Sequence, residues 1–321
     1  MNNRVYIIVV PMLLCFLTLN PGCATKTKTF PAQQITLICP YAPGSTSDLV
    51  THTLAHFAEK EFKVPVIVEN KTGGGGAVGM DFGAHSKPDG YTVTYLVAEI
   101  ALLPYQGFNP IYSKDFDLLF RINYSPAALT VPADAPWKNF QDFAEHVKKH
   151  PNELRVSNPS TFSIWHLAAV LLEQKLNTHF IHIPHKGTSP AVEELLGGHV
   201  DAVTVNPIEI QRNVETGNLR MLAILGDKRA PGFPDVPTAK ELGYDVDIGT
   251  WGGLAVPRGA PEPARKTLIA GFKKAFHNAK FQKIMKNRGI QLAWIEGKEF
   301  EDFVKSQSDM IGEIIKKSEI K

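Results

Sequence analysis

The chain has 321 residues, 44% of them hydrophobic and 21% charged, which excludes a disordered or coiled-coil protein. At ~150 residues per domain the length calls for about two domains. Lys and Arg total 34 against 32 Asp and Glu, a net charge of +2 without a basic cluster, so the one-signed face that nucleic-acid binding needs is missing.

Arg4 is the only charge before Lys26, and an apolar run from Val5 to Leu19 ends at Asn20, Pro21 and Gly22. This is the pattern of a secretory signal peptide over residues 1–22. A membrane anchor needs ~20 apolar residues, and this run is shorter and contains Pro11. Cys23, after Gly22, resembles the lipidated cysteine of a bacterial lipoprotein, although Asn20 stands where that motif usually has Leu. Cleavage after Ala24 is the competing reading. Cys15 leaves with the signal, and a lipidated Cys23 leaves Cys39 as a buried thiol without a partner.

In the mature chain, the apolar strand Ile35–Cys39 leads through Pro43-Gly44-Ser45-Thr46-Ser47 into a helix over Asp48–Glu61, where Leu49, Val50, Leu54, Phe57 and Ala58 recur at helical spacing. Then come a strand Val64–Val68, a glycine loop, a short helix from Ala77 and a strand Tyr91–Ala98. A strand Ala127–Val131 and a helix Phe140–Lys149 follow. Next are Leu154–Ser157, the helix Ser163–Lys175, Phe180–Ile183, the helix Pro190–Leu196 and Val200–Val205, in alternation. Leu219–Leu225 is a further strand and Pro261–His277 a long helix. Alternation of this kind predicts an α/β protein with parallel sheets and helices on their faces. The strands Ala127–Val131 and Trp251–Val256, flanked by Pro-rich connectors, are the expected crossings between two lobes. One lobe then comprises residues 23–126 with 251–321, the other 127–250. Ligands of open α/β sheets bind beyond the carboxyl ends of strands.

Two loops at such ends carry candidate chemistry. Gly44 lets the first approach a ligand closely, and helix-start N–H groups with three hydroxyls attract an anion. Ser45-x-x-Asp48 reads equally as a capping box. The second, Asn158-Pro159-Ser160-Thr161-Phe162-Ser163, enters a helix carrying Trp165 and His166. The pair suits the two ends of a carboxylate bridging the lobes. Gly74-x-Gly76-x-x-Gly79 follows a strand, with Glu99 twenty residues on, a dinucleotide fingerprint in outline. Glu69 to Thr72 intervene where that fingerprint needs a tight turn, and an exported protein meets no nicotinamide pool. His179, His182 and His185 suggest a metal, but Pro184 interrupts them and no acid or thiol stands among them in sequence, so they read as structural. His52/His56 and His146/His150 read as surface pairs. With no G-x-S-x-G and no H-E-x-x-H, nothing selects a hydrolase, although a loop serine with His166 remains the enzymatic alternative.

Taken in order, several segments resemble the extracytoplasmic solute receptors of tripartite tricarboxylate transporters, the Bug family. They are Cys39-Pro40-Tyr41-Ala42-Pro43-Gly44 with Asp48, Val68-Glu69-Asn70-Lys71 with the glycines to Gly79, and Lys87-Pro88-Asp89-Gly90-Tyr91-Thr92. His166-Leu167, His182-Ile183-Pro184-His185-Lys186-Gly187 and Leu195-Leu196-Gly197-Gly198-His199-Val200-Asp201 follow. Arg229, Pro234-Asp235-Val236-Pro237-Thr238, Glu241 and Trp251-Gly252 complete the order. The resemblance implies a periplasmic-binding-protein-like fold, two lobes around a central cleft joined by crossover strands. It also implies a non-enzymatic monomer without cofactor or metal that delivers a small carboxylate to a permease of large and small subunits. A ligand-sensing role without transport is an alternative.

By position the resemblance assigns ligand contacts to Tyr41, Ala42, Gly44, Ser45, Thr46, Ser47 and Asp48 of the first loop. From the second it takes Ser157, Asn158, Ser160, Thr161, Phe162, Ser163 and His166, with Gly187, Thr188 and Asn206 beside them. Gly44-Ser45-Thr46-Ser47 stands where the family usually has Gly-Gly-Gly-Thr, Ser160 and Phe162 where it usually has glycines, and His185 where it has tyrosine. Phe162 and Trp165 offer an aromatic face, and Glu99, expected at a strand end facing the cleft, repels a polyanion and favours an amine-bearing ligand.

Overall fold

The structure, a computed structural model, describes residues 29–105 and 111–318; the expected signal segment and Cys23 lie outside the described residues. Strand β1 (Ile35–Cys39), buried except at Thr36, pairs in parallel with β2 (Val66–Asn70) and β3 (Thr92–Val97). Helix α1 (Thr46–Phe62) connects β1 to β2 and buries Val50, Leu54, Phe57 and Ala58, the stripe that its spacing dictates. The short helix α2 (Ala77–Ala84) follows the glycine run.

Strand β4 (Phe116–Pro132) is the spine of the fold. After it come α3 (Phe140–Lys149), β5 (Arg155–Asn158), α4 (Ile164–Leu176), β6 (Ile181–Pro184), α5 (Thr188–Leu196) and β7 (Ala202–Val205). Then follow α6 (Gln211–Glu215), β8 (Leu219–Leu225), β9 (Gly249–Pro257), α7 (Glu262–Phe276), α8 (Ala279–Asn287), β10 (Leu292–Glu296) and α9 (Lys298–Lys317).

The strands form one mixed sheet in the order β2-β1-β3-β9-β4-β7-β5-β6, with β10 and β8 also paired to β4. Its wings, β2-β1-β3 and β7-β5-β6, are parallel as the alternation predicts. The centre is antiparallel, because β4 and β9 carry the chain across and back. Up to Pro126, β4 pairs with β9, and from Ala127 onward it pairs with β8 and β7. The outward crossing therefore falls where the expected strand begins. The return lies ahead of the expected Trp251–Val256: Ile248 donates to Leu225 O and its own carbonyl accepts from Ala127 N–H, before β9 joins β3 and β4.

The segment Phe116–Pro126, absent from the sequence-based strands, keeps its polar side chains by satisfying each. Asp117 accepts from the Gly259 and Ala260 N–H groups, Asn123 from the Tyr95 hydroxyl at 2.7 Å, and Arg121 donates to Ala293 O. Burial of such groups is tolerated when they are hydrogen-bonded. Close packing shows at α7, where a Cβ on Gly271 would stand 2.2 Å from the Phe62 ring.

Candidate functional site

The registers aim both parallel wings at the same place. At the carboxyl end of β3, Val97 lies opposite Gly252, itself opposite Asn123 of β4. At the carboxyl end of β7, Val205 lies opposite Ala128. At ~3.3 Å per residue, Asn123 and Ala128 are about 17 Å apart along β4. The loops after β1 and β3 and those after β5, β6 and β7 thus rise from strand ends on either side of the crossing.

In the first loop, Gly44 has φ +86°, a conformation that glycine adopts without strain. Its N–H donates to Asp48 Oδ2 (2.9 Å), while the Asn70 amide donates to Asp48 Oδ1 (2.7 Å) and His52 lies 3.2 Å away. Burial works to raise the Asp48 pKa, but the Gly44 N–H, Asn70 and His52 together hold it below the usual carboxylate range. Asp48 therefore latches the loop. Ser45 caps α1 by accepting from Asp48 N–H, and Ala42 O accepts from Ser45 N–H. Among the described residues, the Thr46 and Ser47 N–H groups and their hydroxyl hydrogens have no acceptor, so these remain to meet a ligand. The Tyr41 hydroxyl donates to Gly75 O (3.2 Å) and stands beside Glu99; burial, then that carboxyl, pushes the phenol pKa up.

In the second loop, Ser157 and Asn158 are fully buried: Ser157 donates to Ala191 O and Asn158 to Val156 O. Both hold the loop from beneath and have no free donor for a ligand. Ser163 caps α4, accepting from His166 N–H and donating to Ser160 O. Phe162 has φ +57°, strained for any residue with a Cβ, and its N–H donates to His166 Nδ1 (3.2 Å). His166, 5% exposed, is held neutral. Burial and neighbouring His182, edge-on at 4.8 Å, lower its pKa to about 4, against the opposing pull of Glu173. The N–H groups of Ser160, Thr161, Ile164 and Trp165 have no acceptor among the described residues.

Gly187, with φ +121°, donates to Pro159 O and opens α5 at Thr188. Asn206 follows β7; its Oδ1 accepts from Ser125 Oγ of β4 (3.0 Å) and from Ile208 N–H, tying this loop to the crossing. No hydrogen bond joins residues 41–48 to 157–166, and none of five cavities of about 460–820 Å³ is lined by both. Asn158, Thr161 and His166 line the cavity of about 820 Å³ along α4 and β6, while Asn206 lines another of about 610 Å³ beside Ile208 and Gly289.

Residues 50–320 match the family model described as "Tripartite tricarboxylate transporter family receptor". The chain belongs to this receptor family. It is 31% identical over 241 residues to the protein BugT of Bordetella pertussis, covering 73% of each chain. A TctC solute binding protein from Polaromonas has a similar structure, with a TM-score of 0.85 and 36% identity over 90% of this chain and 100% of the other. MatC of Rhodopseudomonas palustris, solved with bound malate, superposes with a TM-score of 0.67 and 27% identity over 89% and 100% of the two chains. The protein is thus an extracytoplasmic solute receptor of the Bug type, with the α/β fold of periplasmic binding proteins.

The receptor's other sequence motifs take structural roles. Gly73 to Gly76 all have positive φ, and a Cβ on Gly79 would stand 2.6 Å from Lys71 O and 2.7 Å from Pro40 Cα. The glycine run is a packing turn, which dispenses with the dinucleotide reading. The expectation that no acid joins the histidines is corrected: α4 brings Glu173 between His179 and His182, at 2.8 Å from each. Sequence distance had hidden it. Among the described residues no group of three such side chains is arranged to hold a metal. The Ser163 hydroxyl meets the His166 backbone, while the imidazole Nδ1 faces Phe162 N–H, so the hydrolase alternative is not favoured. No described helix is long and apolar enough to cross a membrane.

Sequence reasoning missed Glu209. It accepts from Asn206 N–H (3.2 Å), completing a capping box whose Asn-x-x-Glu signature stands in the sequence. Partial loss of solvation raises its pKa against the opposing bonds from Thr188 and Asn206.

Proposed function

We propose that this receptor captures a small carboxylate between two lobes, residues 23–126 with 251–321 and residues 127–250, that close around it by hinge motion. The free N–H groups of Thr46 and Ser47 take one side of the ligand, and those of Ser160 and Thr161 the other, with the neighbouring hydroxyls. Tyr41, Ala42, Gly44, Ser45 and Asp48, and likewise Phe162, Ser163, His166, Gly187, Thr188 and Asn206, shape or line the site. Ser157 and Asn158 act from beneath. The observation that carries this reading is the pair of helix starts with unclaimed N–H groups beside one crossing. Such ends attract anions, and the malate bound to MatC fits the same chemistry.

In this reading the loaded receptor works as a monomer, tethered through a lipidated Cys23, and passes its ligand to a permease of large and small subunits. It catalyses no reaction and needs no cofactor. Thermal unfolding of the purified protein with succinate, malate, adipate and simple amino acids tests it. A bound ligand at a hundred times its Kd adds about 2.7 kcal/mol of stability. A panel that leaves Tm unmoved while a model ester is turned over would reverse the conclusion.

A further inference from the structure

Strand β4 is bordered by β9 and β8 on one edge and by β10 and β7 on the other. On the second edge β10 begins at Leu292, opposite Asn123, and β7 stops at Val205, opposite Ala128. Between them residues 124–127 have no strand partner on this edge among the described residues, although Tyr124 N–H reaches Gln291 O (3.2 Å). The notch so formed is the cavity of about 610 Å³, and Ser125 lines it. The loop after β7 makes one wall and the connection from α8 to β10 the other. They meet closely, since a Cβ on Gly289 would stand 2.4 Å from Ile208 Cδ1. In the sheet, β9 and β4 stand between this notch and the strands β1 and β3, and no residue of 41–48 or 157–166 lines it. Asn206, the one candidate ligand residue in its lining, turns its Oδ1 to Ser125 and to Ile208 N–H.

The lining has the make-up of a small-molecule site, apolar surface with a few polar groups. Pro207, Ile208, Phe233, Ile290 and Leu292 supply the apolar part, and Ile208 is left 41% exposed. The charges are of one sign. Lys283 and Lys286, three residues apart on one face of α8, line the notch, and no Asp or Glu does. Neither lysine is paired with an acid among the described residues. Each of the other four cavities has an acid in its lining: Glu173, Asp245, Asp235 and Asp309 in turn.

We infer that this notch is a second binding site, for an organic monoanion carried on an aryl or branched apolar body. The body lies against Ile208, Phe233 and Leu292, and the anionic group meets Lys283 and Lys286. Removing the apolar wall from water supplies the affinity, and the lysines select the sign of the charge. Ammonium groups act as point charges, so a carboxylate and a sulfonate serve alike. The occupant touches both sides of the crossing at once. The site stands apart from the helix-start amides and does not depend on them.

Calorimetry of the mature protein with phenylbutyrate and with its neutral counterpart phenylbutanol tests this. Phenylbutyrate should bind, and the alcohol at least tenfold more weakly. Replacing both lysines, Lys283→Gln with Lys286→Gln, should weaken phenylbutyrate about five- to tenfold and leave the alcohol unchanged. Ile208→Asp should weaken both compounds, the anion about tenfold or more. The three substituted side chains are exposed, and circular dichroism with Tm verifies that the variants fold. Amide shifts at Ile208, Gly232 and Gly289 in NMR should locate the compound in the notch. Absence of phenylbutyrate binding overturns the second site, as does binding that neither the lysine pair nor Ile208→Asp alters. Shifts confined to Thr46, Ser47, Ser160 and Thr161 also overturn it, while supporting the receptor reading.

Discussion

His166 offers a quantitative test of how the second loop is built. Its imidazole is neutral in the folded protein with a pKa of about 4, whereas the unfolded chain has the ordinary value near ~6.5. Between these values the unfolded state binds the extra proton, so stability is complete above pH ~6.5 and is lost as pH falls towards 4. Linkage over this interval gives a loss of about 2 kcal/mol by pH 5 and about 3 kcal/mol by pH 4. The raised carboxyls Glu99, Glu209 and Asp247 work in the opposite direction, since the folded state then holds the proton more tightly. A difference measurement removes them. His166→Asn keeps an acceptor near the Nδ1 position for Phe162 N–H and cannot titrate. Urea unfolding of both proteins from pH 7.5 to 4.5 should give a steeper acid loss for the wild type, by about 2 kcal/mol at pH 5. Parallel stability curves would refute the buried neutral imidazole, whatever the variant's absolute stability.

Three further outcomes follow from named contacts. Asp48→Ala frees Gly44 N–H and the Asn70 amide, and should cost about 1–2 kcal/mol at pH 7, a cost that shrinks only as pH falls below the ordinary aspartate range through the lowered folded-state pKa, while weakening carboxylate binding in calorimetry. Gly79→Ala should destabilise by about 1–3 kcal/mol in thermal unfolding, because the new Cβ meets backbone atoms of Lys71 and Pro40 that have no room to give. Ser163→Ala removes the cap of α4 and should cost about 1 kcal/mol; full retention of ligand affinity in that variant would show that the order of the second loop does not depend on the cap.

Much of this fold is legible in the chain. The β1 run, the α1 stripe and the alternation from β5 to β7 are each a local pattern with a single periodic solution. The first half of β4 is not, because Asp117, Arg121 and Asn123 interrupt its apolar run and are satisfied by Gly259 and Ala260, Ala293 and Tyr95, all distant in sequence. In β10, five half-buried residues provide too short a signal. The α9 stripe of Phe300, Val304, Ile311 and Ile314 is regular, but its opposite face is so charged that its mean hydropathy conceals it. At the site, the two capped helix starts can be read from Ser45-x-x-Asp48 and the serines before Trp165. Which N–H groups stay free cannot, since that depends on Asp48 turning back to Gly44 and on His166 turning back to Phe162. Glu173 reaches His179 and His182 only through the packing of α4 on β6.

The most direct test of the central claim is an amide-resolved NMR titration of the mature protein with the acid that gives the largest thermal shift. The account predicts that the Thr46, Ser47, Ser160 and Thr161 amides move together and report one Kd. Shifts confined to one of the two segments, or centred instead on the cavity beside Glu173, would contradict it.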